Sequence, residues 1–372
     1  MRVIVTALCL FLASCGGECD LSDFCLEVYA PQYAEGFEIL GAEGRESVLL
    51  RSHNPWQGAE GVVTDLFICR GGEKPPQNFA GAVLESEAGR IVCMSSTHIA
   101  MLDAAGEVER VVGVSGKSFV SNDYIRTSRV ADVGYDGNID YERLLALDPD
   151  IVLLYGVGGA SGIEGKLREL EIPFAYIGDY LEESPLGKAE WMVAVGEIAG
   201  CRERAEEAFA PIPERYEALK RLVAEAAEAA PRVMLNAPYG DAWFMPSRSS
   251  CLVRLIEDAG GCCLYRGDET NRSQPIDLEE AAMLVSQADV WLHVGDIGSL
   301  AELKRRLPKF ADAECVTRGA VWNCDRRRTP AGGNDYWETG VVQPDVVLND
   351  LITIFHPSLN EPSPLVYYRQ LQ

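Results

Sequence analysis

The sequence predicts an α/β protein of two similar lobes with mainly parallel sheets, joined by a long helical segment and holding a ligand cleft between them. Three observations support this prediction. Short apolar strands alternate with helical segments through most of the chain, as in sheets built from strand–helix–strand units. The order of these segments in the first half recurs in the second half. A stretch of alternating apolar and polar residues before the first copy predicts an N-terminal β extension.

The first copy begins with an apolar strand at residues 90–94, followed by a polar loop at 95–98 and a helix. A second strand follows at 111–114. After a polar stretch, Ile-Asp-Tyr-Glu at 139–142 opens another helix, and the apolar strand at 151–155 closes the copy.

The second copy repeats this order. A strand at 232–236 leads to a helix that ends near 256–260, and a short strand follows at 262–265. Ile-Asp-Leu-Glu at 276–279 then opens a helix before the strand at 289–294. Two copies predict two lobes, and ligands bind such sheets beyond the carboxyl ends of the strands.

The segment that joins the copies, residues 188–230, is rich in Ala, Glu, Arg and Leu with apolar residues at helical spacing. We expect Gly200, Pro211 and Pro213 to divide this helix, because proline removes a backbone donor and clashes with the preceding turn. A helical connection is stiffer than a Gly/Ser linker.

Before the first copy, residues 26–89 alternate in polarity, most clearly at 47–52 and 62–68, which predicts antiparallel strands. The chain therefore divides into five predicted parts. They are a signal peptide at 1–14, a tether at 15–25, an N-terminal lobe with its extension at 26–187, a linking helix at 188–230 and a C-terminal lobe at 231–372.

The N-terminus has the composition of an export signal. Met1 and Arg2 precede an apolar run at 3–12, which is far shorter than the roughly 20 residues of a membrane-spanning helix. Leu-Ala-Ser directly before Cys15 resembles a bacterial lipobox, in which the cysteine is lipidated and becomes the mature N-terminus. The alternative is a simple secretory signal. We expect a protein of the periplasm, lipid-anchored to a membrane of the cell envelope.

Charge and cysteine content narrow the possible partners. The formal net charge of −24 repels nucleic acid and anionic lipid, so we expect no nucleic-acid partner. The chain has 12 cysteines but no Cys-x-x-Cys pair, and the adjacent Cys262 and Cys263 are poorly arranged for zinc. Buried thiols and one to three disulfides both remain open for an exported protein.

The loops after the strands contain many aromatic residues, whose faces suit a large flat ligand. Loop packing is the alternative for each of them. His98 is a candidate axial ligand to a metal carried by such a ligand, or it bonds its neighbours. Arg126 and Arg272 are candidates for anionic ligand oxygens. The predicted ligand-binding residues are Ser96, Thr97, His98, Tyr124, Arg126, Tyr135, Tyr155, Tyr180, Tyr239, Trp243, Arg272, Tyr336 and Trp337. We predict no directly bound metal and no cofactor.

Over residues 88–358 the chain resembles the helix-linked periplasmic binding proteins of ABC importers for iron complexes, haem and vitamin B12. The most specific part is a glycine loop at 133–134, Asn-x-x-x-Glu at 138–142 and Leu-Asp-Pro-Asp at 147–150 before a strand. Tyr-Trp-Glu at 336–338 and the apolar stretch after Pro344 look like the family's closing loop and helix. The prolines in the linking helix and the long β extension depart from the family pattern.

The resemblance implies capture of a metal chelate or corrinoid and delivery to an ABC permease, without catalysis, by a protein that we expect to be a monomer. In the family, one exposed glutamate on each lobe pairs with an arginine of the permease. This role would fall to Glu142 and Glu279, one in each Ile-Asp-x-Glu phrase. The alternative is local, because Asp140 and Asp277 look like N-caps and a glutamate in the first turn is favourable beside the helix dipole.

Two other classes compete with this interpretation. Gly-Val-Gly-Gly-Ala-Ser at 156–161 follows a strand and imitates the dinucleotide fingerprint G-x-G-x-x-G, with Asp179 as a candidate ribose ligand. The third glycine of that pattern falls on Ser161, so the match fails by one residue. A surface lipoprotein that binds a protein partner would explain the extension but leave the duplicated lobes unexplained.

Overall fold

The computed structural model describes residues 20–135, 137–157, 159–226, 228–240, 242–270, 272–359 and 364–372. The predicted signal at 1–14, the predicted lipidation site Cys15 and the first part of the tether lie outside the described residues.

The described strands are β1 (Leu26–Tyr29), β2 (Phe37–Gly41), β3 (Val48–His53), β4 (Val63–Ile68), β5 (Ala82–Leu84), β6 (Ile91–Cys93), β7 (Val111–Val114), β8 (Ala131–Asp132), β9 (Gly134–Tyr135), β10 (Asn138–Ile139), β11 (Ile151–Leu154), β12 (Phe174–Tyr176), β13 (Arg232–Leu235), β14 (Trp243–Met245), β15 (Cys262–Cys263), β16 (Gln274–Ile276), β17 (Val290–Leu292), β18 (Val321–Asn323) and β19 (Arg369–Gln370). The described α-helices are α1 (Ser96–Ala104), α2 (Asp123–Thr127), α3 (Tyr141–Ala146), α4 (Glu164–Glu169), α5 (Pro185–Ile198), α6 (Arg202–Phe209), α7 (Pro211–Ala226), α8 (Cys251–Asp258), α9 (Leu278–Gln287), α10 (Leu300–Arg306), α11 (Glu314–Thr317), α12 (Thr339–Val342) and α13 (Pro344–Phe355).

The sheets of the two lobes share the same four-strand arrangement, which confirms the predicted fold class. The first sheet has the order β12-β11-β6-β7-β8 and is parallel throughout. The second has the order β15-β13-β17-β18-β19 and is parallel except for its last pair. When the edge strands β8 and β19 are left out, β7-β6-β11-β12 of the first lobe corresponds to β15-β13-β17-β18 of the second, with the first strand between the second and the third and the fourth beside the third. The repeat in the sequence is therefore a repeat of structure.

The repeated Ile-Asp-x-Glu phrase has the same local structure in both lobes. Its isoleucine ends a short strand, β10 or β16, and its aspartate is the N-cap of α3 or α9. Asp140 accepts a hydrogen bond from the amide of Arg143 at 2.9 Å, and Asp277 accepts one from the amide of Glu279 at 2.9 Å. The predicted N-caps are thus present, and each phrase fixes the start of a helix.

The N-terminal extension is a five-stranded sheet in the order β1-β2-β3-β4-β5. Its first four strands are antiparallel, as the alternating polarity predicts, and β5 joins β4 in parallel. The chain passes through a loop between β4 and β5 rather than a tight turn, which permits the parallel pairing.

Two buried carboxylates, one within α5 and one just before it, hold this extension against the first lobe. Glu190 is fully buried in α5 and accepts hydrogen bonds from Tyr29 Oη at 2.8 Å and from the amides of residues 32–34 at 2.7–2.8 Å. Glu182 accepts from the amides of residues 35–36 at 2.9–3.2 Å. The extension is therefore part of the first lobe rather than a separate appendage.

The predicted linking helix at 188–230 consists of three helices, α5, α6 and α7. Gly200 adopts a φ of 68° after α5 ends, and Pro211 is the first residue of α7, where its missing N–H is tolerated. Helix α5 is buried on nearly every side and contacts α1 and β2 of the first lobe and α8 and α13 of the second. It is a shared core helix rather than an exposed strut, and one apolar core runs from the extension to the C-terminus.

Every cysteine in the described part of the chain is a free thiol, and most are buried, which answers the question that the sequence leaves open for these positions. In the same residues no helix is both long and apolar enough to cross a membrane.

Candidate functional site

A cleft with a cavity volume of about 180 Å³ lies where the start of α5 faces the second lobe. Its walls come from the turn before α5, the start of α8, the segment before β16, and α12 with the start of α13. The polar and aromatic side chains that line it are Tyr180, Glu182, Glu183, Lys188, Ser247, Ser250, Cys251, Arg272, Ser273, Tyr336 and Trp337.

Three aromatic rings line the cleft. Tyr180 and Trp337 are 48% and 53% exposed, so each ring offers a free surface. The ammonium of Lys188 lies 5.6 Å from the centre of the Tyr180 ring. Tyr336 is buried and packs edge-on against Trp337 at 4.7 Å between ring centres. Exposed rings beside a cation can bind a flat, partly apolar ligand.

A buried polar pair supports this aromatic wall from behind. His293 adopts a φ of 59° just after β17, and its Nε2 lies 2.7 Å from Tyr368 Oη. The His293 ring also packs edge-on against Tyr336 at 5.3 Å. Burial lowers the pKa of His293 to about 4, so the ring is neutral at physiological pH. Sequence reasoning missed this pair, because Tyr368 comes from the far end of the chain.

Two further contacts connect the lobes beside the cleft. Glu338, which follows the cleft-lining Trp337, accepts hydrogen bonds from the amides of Ser121 and Asn122 in the first lobe at 2.7 and 2.8 Å. Burial raises the pKa of the Glu338 carboxyl to about 7. These contacts fix the closing loop of the second lobe against the first lobe.

The second contact involves the β extension. The loop between β3 and β4 is fixed to the first lobe, because Gln57 donates its amide to the carbonyl of Gly156, just after β11, at 3.4 Å. The same loop touches the second lobe: a Cβ on Gly58 would lie 2.3 Å from Nη2 of Arg272. The extension therefore borders the cleft at Arg272.

Of the predicted ligand-binding residues, four line this cleft: Tyr180, Arg272, Tyr336 and Trp337. Two others are corrected by their burial. Trp243 is fully buried in β14, stacks on Trp291 at 5.6 Å and donates Nε1–H to the Leu235 carbonyl at 2.8 Å. It is a core residue.

His98 is the second correction. It lies fully buried in α1, and neither ring nitrogen has a hydrogen-bond partner within the described ranges. Burial lowers its pKa to about 3, so the ring is neutral. Because the ring faces the interior, His98 is not positioned as an axial ligand in the cleft.

The remaining predicted residues lie outside the lining of the cleft. Thr97 is half-buried, with its hydroxyl 3.4 Å from Asp179 Oδ1, and Arg126 is ion-paired to Asp123 at 3.0 Å. Ser96 and Tyr155 are half-buried, and Tyr124, Tyr135 and Tyr239 are exposed. Their roles in binding stay predictions.

Some lining residues escaped the sequence analysis, namely Lys188, Ser247 and Cys251. Lys188 was assigned to the linking helix. The sequence does contain a local indication for Ser247 and Cys251. Ser250 beside them precedes an apolar helix, which is typical of an N-cap, and helix starts are frequent binding positions.

The geometry also bears on the dinucleotide alternative. Asp179, its candidate ribose ligand, is 2% exposed and lies in a 3-10 turn, Asp179–Leu181. Burial raises the pKa of this carboxyl to about 6. A side chain enclosed in this way is not available to a ribose. Across the described ranges, no cluster of three or more metal-ligating side chains is present.

Two sheets with the same four-strand arrangement, on either side of a cleft and joined by helices, define a two-lobe binding-protein fold. The model of the periplasmic binding protein family matches residues 91–322. The chain belongs to this family.

Similar chains include two uncharacterized lipoproteins of Methanocaldococcus jannaschii. One is 26% identical over 298 residues, which cover 77% of this chain and 69% of the relative. The other is 22% identical over 334 residues, which cover 84% and 82%.

Solved structures show the same fold. A periplasmic heme-binding protein from Pseudomonas aeruginosa has a TM-score of 0.60 and 20% identity, with 77% of this chain and 98% of that one covered. A periplasmic vitamin B12 binding protein of Vibrio cholerae has a TM-score of 0.53 and 15% identity, with 72% and 96% covered.

Proposed function

We propose that the chain is the substrate-binding lipoprotein of an ABC importer, which captures an iron complex (siderophore or haem) or a corrinoid and delivers it to a membrane permease. The observation that carries this proposal is the cleft between the duplicated lobes, with its exposed Tyr180 and Trp337 rings. The names of the similar structures, which refer to heme and vitamin B12, support the same ligand class.

The location follows from the same proposal. Lipidation of Cys15 would anchor the chain to a membrane of the cell envelope, with the lobes in the periplasm. The description of two relatives as lipoproteins supports this anchor.

Delivery would use Glu142 and Glu279 as two docking points. Each is exposed in the first turn of its helix, α3 or α9, and neither has an ion-pair partner among the residues that the structure describes. Because each helix start is fixed by its N-cap and the two lobes share one core, the two carboxylates are held on a stiff body. A permease with arginines at matching positions would bind both carboxylates at the same time.

The test is the double variant Glu142→Ala with Glu279→Ala in cells that express the chain and its permease. We expect unchanged ligand affinity and abolished uptake, because neither side chain belongs to the lining of the cleft. The matched control is Glu203→Ala with Glu207→Ala, which removes two exposed glutamates of α6 and should leave uptake intact. Lost ligand affinity, or normal uptake, in the first double variant would contradict the docking assignment.

A further inference from the structure

The start of α8 presents free hydrogen-bond donors to the cleft. Ser250 is the N-cap, and its hydroxyl accepts from the amide of Val253 at 3.4 Å. The amides of Cys251 and Leu252, which also line the cleft, have no acceptor within the described part of the chain. Unpaired amides at the positive end of a helix favour a negatively charged group.

A second and independent feature lies beside this helix start. Ser247 lines the cleft and is 2% exposed, yet its hydroxyl has no hydrogen-bond partner among the described residues. Buried hydroxyls are nearly always paired, because an unpaired one has lost water without compensation. A ligand oxygen in the cleft would supply the missing partner.

Two cations line the same cleft. Neither Lys188 nor Arg272 forms an ion pair within the described ranges. Two carboxylates line the cleft, and one of them, Glu182, already accepts the amides of residues 35–36 and Nε1–H of Trp191, the last at 2.8 Å. Glu183 also lines the cleft, and it is exposed to solvent, which screens its charge.

We infer that Ser247, the first amides of α8, Lys188 and Arg272 form an oxyanion subsite, and that the transported ligand carries a carboxylate or comparable anionic oxygen. This inference rests on the proposed function of the cleft. The chain as a whole carries a charge of −24 and repels anions. A local set of donors and cations is therefore required before an anionic ligand can bind.

The experiment compares haem with its dimethyl ester, which keeps the ring and iron but lacks free carboxylates. Affinities are measured by titration of the full chain in mild detergent, in the wild type, Ser247→Ala and Lys188→Met. We expect the wild type to bind haem at least about tenfold more tightly than the ester. Each substitution should lower the affinity for haem by about tenfold and leave the affinity for the ester unchanged. Lys166→Met, which replaces a half-buried lysine of α4 outside the cleft, is the control and should change neither affinity.

The same titrations include a ferric catecholate, which is anionic, and an uncharged ferric trihydroxamate. Binding of haem or the catecholate that is weakened in Ser247→Ala supports the inference. Equal binding of haem and its ester, or binding of the uncharged trihydroxamate alone, would overturn the inference while leaving the proposed function in place. If none of these ligands binds to the chain, the proposed function itself is contradicted.

Discussion

Replacing Glu190 with glutamine removes one of the two carboxylate oxygens that hold the β extension against the first lobe. Oε1 accepts from Tyr29 Oη and the amide of Gln32, each at 2.8 Å. Oε2 accepts from the amides of Tyr33 and Ala34 at 2.8 and 2.7 Å. Glutamine has almost the same shape but only one oxygen, so its NH₂ group must face two of these four donors.

The magnitude follows from the number of bonds lost. Glu190 is fully buried, so water does not replace the missing acceptor. A hydrogen bond to a charged group contributes about 1.5–3 kcal/mol, and two of them are removed. We therefore expect the free energy of unfolding to fall by about 3–6 kcal/mol, a large part of the 5–15 kcal/mol that is typical of native proteins.

The assay is urea unfolding at neutral pH, followed by near-UV circular dichroism. Glu207→Gln is the matched control, because Glu207 is an exposed glutamate of α6 and its replacement should have almost no effect. Amide hydrogen exchange should also accelerate at residues 32–36 in the Glu190 variant alone. A loss below about 1 kcal/mol, equal to that of the control, would refute the claim that this carboxylate anchors the extension.

Two more predictions concern acid stability and the loop beside the cleft. His98 has a pKa of about 3 when folded and 6.5 ordinarily, so the unfolded chain takes up a proton first as pH falls below 6.5. The stability that depends on neutral His98 is complete above pH 6.5 and is lost progressively on acidification. By pH 5 the loss amounts to about 2 kcal/mol. Urea unfolding at pH 7.5 and 5 should show this loss reduced in His98→Leu, and an unchanged pH dependence in that variant would contradict it. Gly58→Ala should weaken ligand binding by displacing Arg272, whereas Gly61→Ala, at a φ of 68° with open space around it, should not. Equal ligand affinities of these two variants in a titration would show that the loop between β3 and β4 does not contribute to the binding site.

The duplicated fold was predictable because it depends on local patterns. Strand 111–114 coincides with β7, and the repeated Ile-Asp-x-Glu phrase marks a strand end, an N-cap and a helix start in both lobes. These features are set by the polarity and capping chemistry of neighbouring residues, which a single sequence displays.

The site was predicted only in part, because burial is decided by distant parts of the chain. Trp243 and Tyr180 are both aromatic residues near strand ends, yet Trp291 covers the first, whereas the second stays 48% exposed. Helix α5 has the composition of a linker helix, but its apolar residues extend around the whole circumference, which is typical of a buried helix. The presence of Glu190 in α5 also indicates an unidentified contact, because a glutamate in such a buried helix needs a buried partner.

Ligand capture in the cleft is tested most directly by the tryptophan fluorescence of the full chain during titration with cobalamin, haem, a ferric hydroxamate and a ferric catecholate, with NADH as the control. Trp337 is exposed in the cleft and should report binding, and the signal should be reduced in Trp337→Phe. We predict saturation by one of the four ligands with a dissociation constant at or below about 1 µM, which corresponds to a binding free energy near −8 kcal/mol. Silence with all four and a saturable response to NADH would contradict it and favour a dinucleotide-binding protein.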